Sequence, residues 1–195
     1  MEKVAQRVGV GCGVVAPLGF LCLYMVAIAG DPGYTFFTNY LSDLGVGPAA
    51  WAFNSAVILA GSLTVPFALL AVWPRLGGGI AAGIAVALTI VGGVFLVLIG
   101  VFTEDSGDTH YIVSVGFFLS METALLFYSW TLHFSHALGR EVTGLTQAAF
   151  GLGAVLIALG FNPQTETVAV LSLVVWGLVV AVRSDLALRT PPAIK

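Results

Sequence analysis

Charge is scarce in this chain of 195 residues. Asp, Glu, Lys and Arg together make up 9%, where a soluble domain carries about 25%. Seven basic residues spread along the chain form no basic groove, which excludes nucleic acid as a partner. Cys12 and Cys22 fall in one apolar run, about 15 Å apart along a helix axis, too far to pair. Only His110, His133 and His136 are present, so no Cys/His zinc motif can be drawn. A haem held by two facing helices would need a histidine on a second helix, so haem is not expected within one chain. No glycine-rich phosphate loop follows a strand, and no alternating pattern suggests a β-barrel.

What is present is apolar sequence, 58% of the chain. It comes in runs near membrane-spanning length with almost no charge inside them. Backbone polar groups must be satisfied within a bilayer, so the runs are expected to be helices. Six spans emerge: Val8–Ala29, Trp51–Trp73, Gly79–Phe102, Tyr111–Phe134, Thr143–Phe161 and Thr167–Val182, the last continuing toward Arg183–Leu188. The expected fold is all-α, a polytopic helical bundle in one integral membrane domain covering 1–195. The first run is too long for a signal-peptide core, and Gly30-Asp31-Pro32 offers no small-x-small cleavage site, so it reads as a true span. Trp51 and Trp73 fit interfacial anchors at opposite ends of span two.

Lys3, Arg7, Arg75, Arg140, Arg183, Arg189 and Lys195 all fall on one side of this topology. The positive-inside rule makes that side cytoplasmic, with both termini there and the cell membrane as location. The opposite, outer side has no Lys or Arg. It carries Asp31, Asp43, Glu104, Asp105, Asp108 and Glu166. Gly9-x-x-x-Gly13 and Gly79-x-x-x-Gly83 are read as close packing between helices of the same chain.

The candidate site is on the outer side. In FFTNYLSDLG, Phe36, Phe37, Tyr40, Leu41 and Leu44 share one helical face, while Asn39 and Asp43 share the other with Ser42 beside them. Gly45 ends the pattern. This predicts a short amphipathic helix at the interface, its polar side facing either water or the mouth of the bundle. The second outer connection, TEDSGDTH, packs Glu104, Asp105, Asp108 and His110 into eight residues. Asp108 or Thr109 can cap span four. The remaining acids have no basic partner on this face. Convergence away from water would call for an external cation, either an amine headgroup or a divalent metal held by Asp43, Glu104, Asp105 and His110. An anionic phosphate would find no basic clamp.

Glu122 lies near the middle of span four. It is expected to avoid lipid, with Asn54, Ser55 and Ser114 as plausible partners. It can act as a proton carrier, a general acid/base or a polar clasp between helices. His110 and Glu122 are separated by roughly 18 Å along the helix, so they form no compact site by themselves. Ser42, His110 and Asp43 or Asp105 are residue types of a hydrolytic triad.

NYLSDLG (Asn39–Gly45), Phe53-Asn54, GVFTED (Gly100–Asp105) and His110, in that order, resemble the prokaryotic six-helix membrane proteins grouped as domain of unknown function 998. The likeness covers nearly the whole chain. The commoner GxFPxD-like form has proline where Thr103 stands. A more distant similarity is to the DRAM/Sfk-like membrane proteins, with an ISD-G motif after the first span and a histidine opening span four; that group is associated with lipid handling. Ceramidase-like hydrolases are a weaker analogy, because their three zinc histidines are not matched here. The resemblance implies a fold and a location for the polar residues, and no established reaction.

The ligand-binding candidates are Asn39, Ser42, Asp43, Asn54, Glu104, Asp105, His110 and Ser114, and the catalytic candidates His110, Asp43, Asp105 and Glu122. The leading expectation is binding or modification of a lipid or other amphiphile at an acidic outer pocket, with membrane lipids as partners. The alternatives are a structural subunit of a larger membrane complex and a cation- or proton-coupled transporter using Glu122. Whether the chain is an enzyme stays open.

Overall fold

The computed structural model describes residues 1–189. Six long helices follow one another: α1 (Glu2–Ala29), α2 (Ala50–Pro66), α3 (Ile80–Val101), α4 (Asp108–Ser135), α5 (Arg140–Leu159) and α6 (Pro163–Arg189). There is no strand among the described residues. Each long helix, with α2 extended to Arg75, is long and apolar enough to cross a membrane. The protein is a multi-pass helical membrane bundle. Helices run past the apolar cores of the expected spans at several ends. α1 begins at Glu2, where an acid in the first turn suits the helix dipole, and α6 reaches Arg189, where a base suits the other end.

Each helix packs on its neighbours in sequence, and α1 packs on α6, closing a ring. Within it, α2 is irregular for a local reason. Pro66 lacks an N–H and its ring crowds the preceding turn, and the chain opens into a π-helical segment, Phe67–Val72. A 3-10 turn, Trp73–Arg75, ends the span. Arg75 then donates from Nη2 to the Ser184 carbonyl of α6 at 2.8 Å, and Arg183 of α6 pairs with Glu141 of α5 at 2.7 Å. Lys3, Arg7, Arg75, Arg140, Arg183 and Arg189 therefore share one end of the bundle; Lys195 lies outside the described residues.

The glycines separate into two kinds. A Cβ at Gly9 would meet Leu70 and the Ala71 backbone, and one at Gly13 would strike the Phe67 ring, so this pair packs α1 on α2 as expected. The second pattern is a correction. Gly79 precedes α3 at φ 98° and Gly83 has open space around it, so neither makes a helix contact. The tighter seam is Gly61 against Gly93: a Cβ at Gly61 would lie 2.5 Å from the Gly93 carbonyl oxygen.

Gly61→Ala is therefore expected to destabilise the bundle by about 1–3 kcal/mol through overpacking against backbone. Gly83→Ala should be neutral or stabilising by up to about 1 kcal/mol, from helix propensity. Thermal unfolding in a mild detergent compares the two, and equal effects would contradict this packing.

Candidate functional site

The site forms at the acidic end of the bundle, around a short 3-10 helix, Leu41–Gly45. The expected amphipathic helix does not extend over Phe36–Tyr40. The reason is competition for backbone donors. Asn39 Oδ1 accepts the Thr35 amide at 3.1 Å, and Asp43 Oδ2 accepts the Tyr40 amide at 3.0 Å. Asp43 N donates back to the Tyr40 carbonyl at 3.2 Å, so Asp43 caps the 3-10 turn reciprocally. Asn39 also donates to Asp43 Oδ2 at 3.1 Å. The aromatic face divides too: Leu41 and Leu44 are buried, while Phe36 and Phe37 are exposed.

Asn54 of α2 secures the other end of the turn, donating to the Gly45 carbonyl at 2.9 Å. Tyr40 stacks on Phe161, and Gln164 donates to the Phe37 carbonyl at 3.0 Å, tying the first loop to the α5–α6 connection.

Beneath the turn is a residue that the sequence reading left out of the site. Glu166 is 7% exposed, and its Oε2 accepts the Leu41 amide at 2.5 Å. The Ser42 amide and hydroxyl reach the same carboxylate. Thus α6 supplies a carboxyl oxygen as acceptor to the unpaired N–H groups that begin the 3-10 turn. The available signal was Asn162-Pro163. Asn162 Oδ1 accepts the Gln164 and Thr165 amides at 3.1 Å, and Pro163 opens α6, which moves Glu166 from a loop into the first turn.

Glu104 completes the acidic group. Its Oε2 is buried with no donor facing it, and it lies against Asp43. Two carboxyl groups can bond only if one keeps a proton. Burial first, then the Asp43 contact and the Asp43 and Glu166 charges, push the Glu104 carboxyl up to about 7.

Other candidates stand apart from this group. Asp105 is exposed and accepts a bond from the Thr103 hydroxyl. His110 is buried and uses Nδ1 to donate to the Phe102 carbonyl at 2.8 Å, fastening the end of α3 to the start of α4. Its ring is engaged there rather than with Ser42 or an acid. Gly107, not Asp108 or Thr109, occupies the cap position of α4, because the chain reverses there at φ 59°. No group of three or more His, Cys, Asp or Glu among the described residues is disposed to hold a metal ion.

The acidic group overlies a cavity of about 130 Å³ inside the bundle. Its walls come from α1, α2, α3, α4 and α6 and are almost entirely apolar, including Phe20, Val57, Leu96, Phe117 and Val174. Leu41, Ser42 and Glu166 close its acidic end, and Ser114 joins the wall from α4. Glu122 lines a different cavity.

The family model described as "Protein of unknown function (DUF998)" matches residues 14–188. The chain belongs to this family. The match takes in all of the motifs from Asn39 to His110, the whole of α2, α3, α4 and α5, most of α1 and all of α6 but its last residue. No curated protein and no solved structure matches it, so the distant likeness to DRAM/Sfk-like proteins gains no support.

The Glu104 carboxyl gives a pH prediction. Its folded value, about 7, exceeds its ordinary value of 4.5, so the folded chain binds more protons in that interval. Its contribution to stability falls as pH rises from 4.5 to about 7 and then levels off. Glu104→Gln keeps a donor toward Asp43 without the titration. The melting temperature of the wild type should fall relative to this variant between about pH 5 and pH 8, leaving the variant the more stable at the upper end. A constant difference across that interval would contradict the Asp43–Glu104 contact.

Proposed function

We propose that this membrane protein binds an amphiphile. An apolar chain or ring occupies the central cavity, and a polar head lies at its acidic end, beside Ser42, Glu166 and the Asp43–Glu104 pair. The observation that carries the reading is the apolar cavity capped at one end by buried carboxyl chemistry. An engineered cavity of about 150 Å³ accommodates benzene, so the space suits one slender apolar group. The absence of Lys and Arg among the described residues at this end favours a neutral or amine-bearing head over a bare phosphate.

The same charge asymmetry supports an orientation in the cell membrane with both termini cytoplasmic and the acidic end outside. The amphiphile would then come from the outer leaflet. Binding is the reading best supported, because Asp43 is occupied as a cap and His110 as a clasp. Neither is arranged as a general base beside Ser42.

Gly177 provides a mild test. It lines the cavity, and a Cβ placed on it meets nothing within 4 Å. Gly177→Leu should fill the space without striking backbone. Native mass spectrometry of protein extracted from membranes in mild detergent is expected to show one retained lipid-like mass. Gly177→Leu should reduce its occupancy about tenfold, equivalent to about 1.4 kcal/mol. Equal retention by both proteins would place the adduct elsewhere and overturn the reading.

A further inference from the structure

A second cavity, of about 200 Å³, lies between α4, α5 and α6. Phe118, Met121 and Leu173 line both cavities and separate them. A single acidic side chain enters the second one, Glu122, from the middle of α4. Its Oε1 is buried with no hydrogen-bond partner. Its Oε2 rests against Gly153 of α5, in the space that a Cβ on that residue would need. The hydroxyls in the wall are already engaged: Thr165 bonds the Gly160 carbonyl at 3.0 Å, and Ser172 the Ala169 carbonyl at 2.7 Å. The nearest arginine on α5 is Arg140, about 20 Å away along the helix. The cavity therefore combines an apolar lining with one unsatisfied acidic oxygen and no internal cation.

We propose that this cavity is a separate binding site for a lipophilic amine, an apolar body bearing one protonated nitrogen, with Glu122 as its counter-charge. The apolar walls take the body of the ligand, and the ammonium N–H meets Oε1. A lone carboxylate at this depth carries a large desolvation cost, which a paired cation offsets. An anionic ligand would meet a like charge instead. α5 packs on α4 and α6 and turns Leu152 and Val155 outward, while Leu119, Ile157 and Phe161 of the cavity wall are themselves exposed, so the cavity reaches the bilayer-facing surface.

Dicyclohexylcarbodiimide tests the site in vesicles of a zwitterionic lipid. A carboxylic acid gives its proton to one reagent nitrogen while its oxygen bonds the central carbon; acyl transfer to nitrogen then leaves a stable N-acylurea. Peptide mass mapping reads the product at Glu122, and Glu122→Gln should carry none. The competitor is N,N-dimethyloctylamine, a tertiary amine that cannot form an amide, compared with 1-octanol at equal membrane concentration. At an amine level about ten times its apparent dissociation constant, labelling should fall about tenfold, and octanol should leave it unchanged. Gly153→Ala, whose Cβ displaces the carboxylate, should weaken protection by the amine. No label on Glu122, or equal protection by the alcohol, would overturn the proposal.

Discussion

The acidic end of this bundle depends on one interaction, the hydrogen bond from the Leu41 amide to the Glu166 carboxylate. It joins residues 125 positions apart and fixes a five-residue 3-10 turn against the top of α6. A turn this short cannot stabilise itself, because its first N–H groups lack intrahelical partners. Glu166 supplies an acceptor from outside. With the turn in place, Asp43 can cap it, Asn54 can hold its last carbonyl, and Glu104 comes to lie against Asp43.

That arrangement explains how acidic residues gather at an end where the described chain has no Lys or Arg. Backbone amides satisfy Glu166 and Asp43, and a retained proton relieves Glu104. Neither solution requires a metal. Each takes a group that would otherwise need water and binds it into the lid of an apolar space. The lid residues Leu41, Ser42 and Glu166 are also cavity wall, so loop geometry and cavity shape are set together.

The membrane fold was legible in the sequence because its cause is local and repeated: runs of apolar residues whose backbone must bond within the segment. The spans matched helices, with longer ends where polar residues continue beyond the apolar core. The site was legible only where partners are close in sequence. Asn39, Ser42, Asp43 and Asn54 fall within one loop and the helix after it; Asn39 bonds Asp43, and Asn54 holds the carbonyl that ends the same turn. Asp105 and His110 shared a crowded acidic segment, yet each is taken up by its own connection, through Thr103 and Phe102. Glu166 was missed because no short-range pattern points across 125 residues to an amide donor. The helical face drawn for Phe36–Leu44 was sound as periodicity. It failed because Asn39 and Asp43 offer the backbone other acceptors, which periodicity does not count.

The most direct measurement is hydrogen exchange, resolved over Leu41–Gly45, in the wild type and in Glu166→Ala. Leaving a buried amide without its acceptor costs about 1–3 kcal/mol, so loss of the carboxyl group should speed exchange there by about fivefold to a hundredfold. Protection of α3 should be unchanged. Equal protection of Leu41–Gly45 in both proteins would show that the turn stands without Glu166, and would contradict the account.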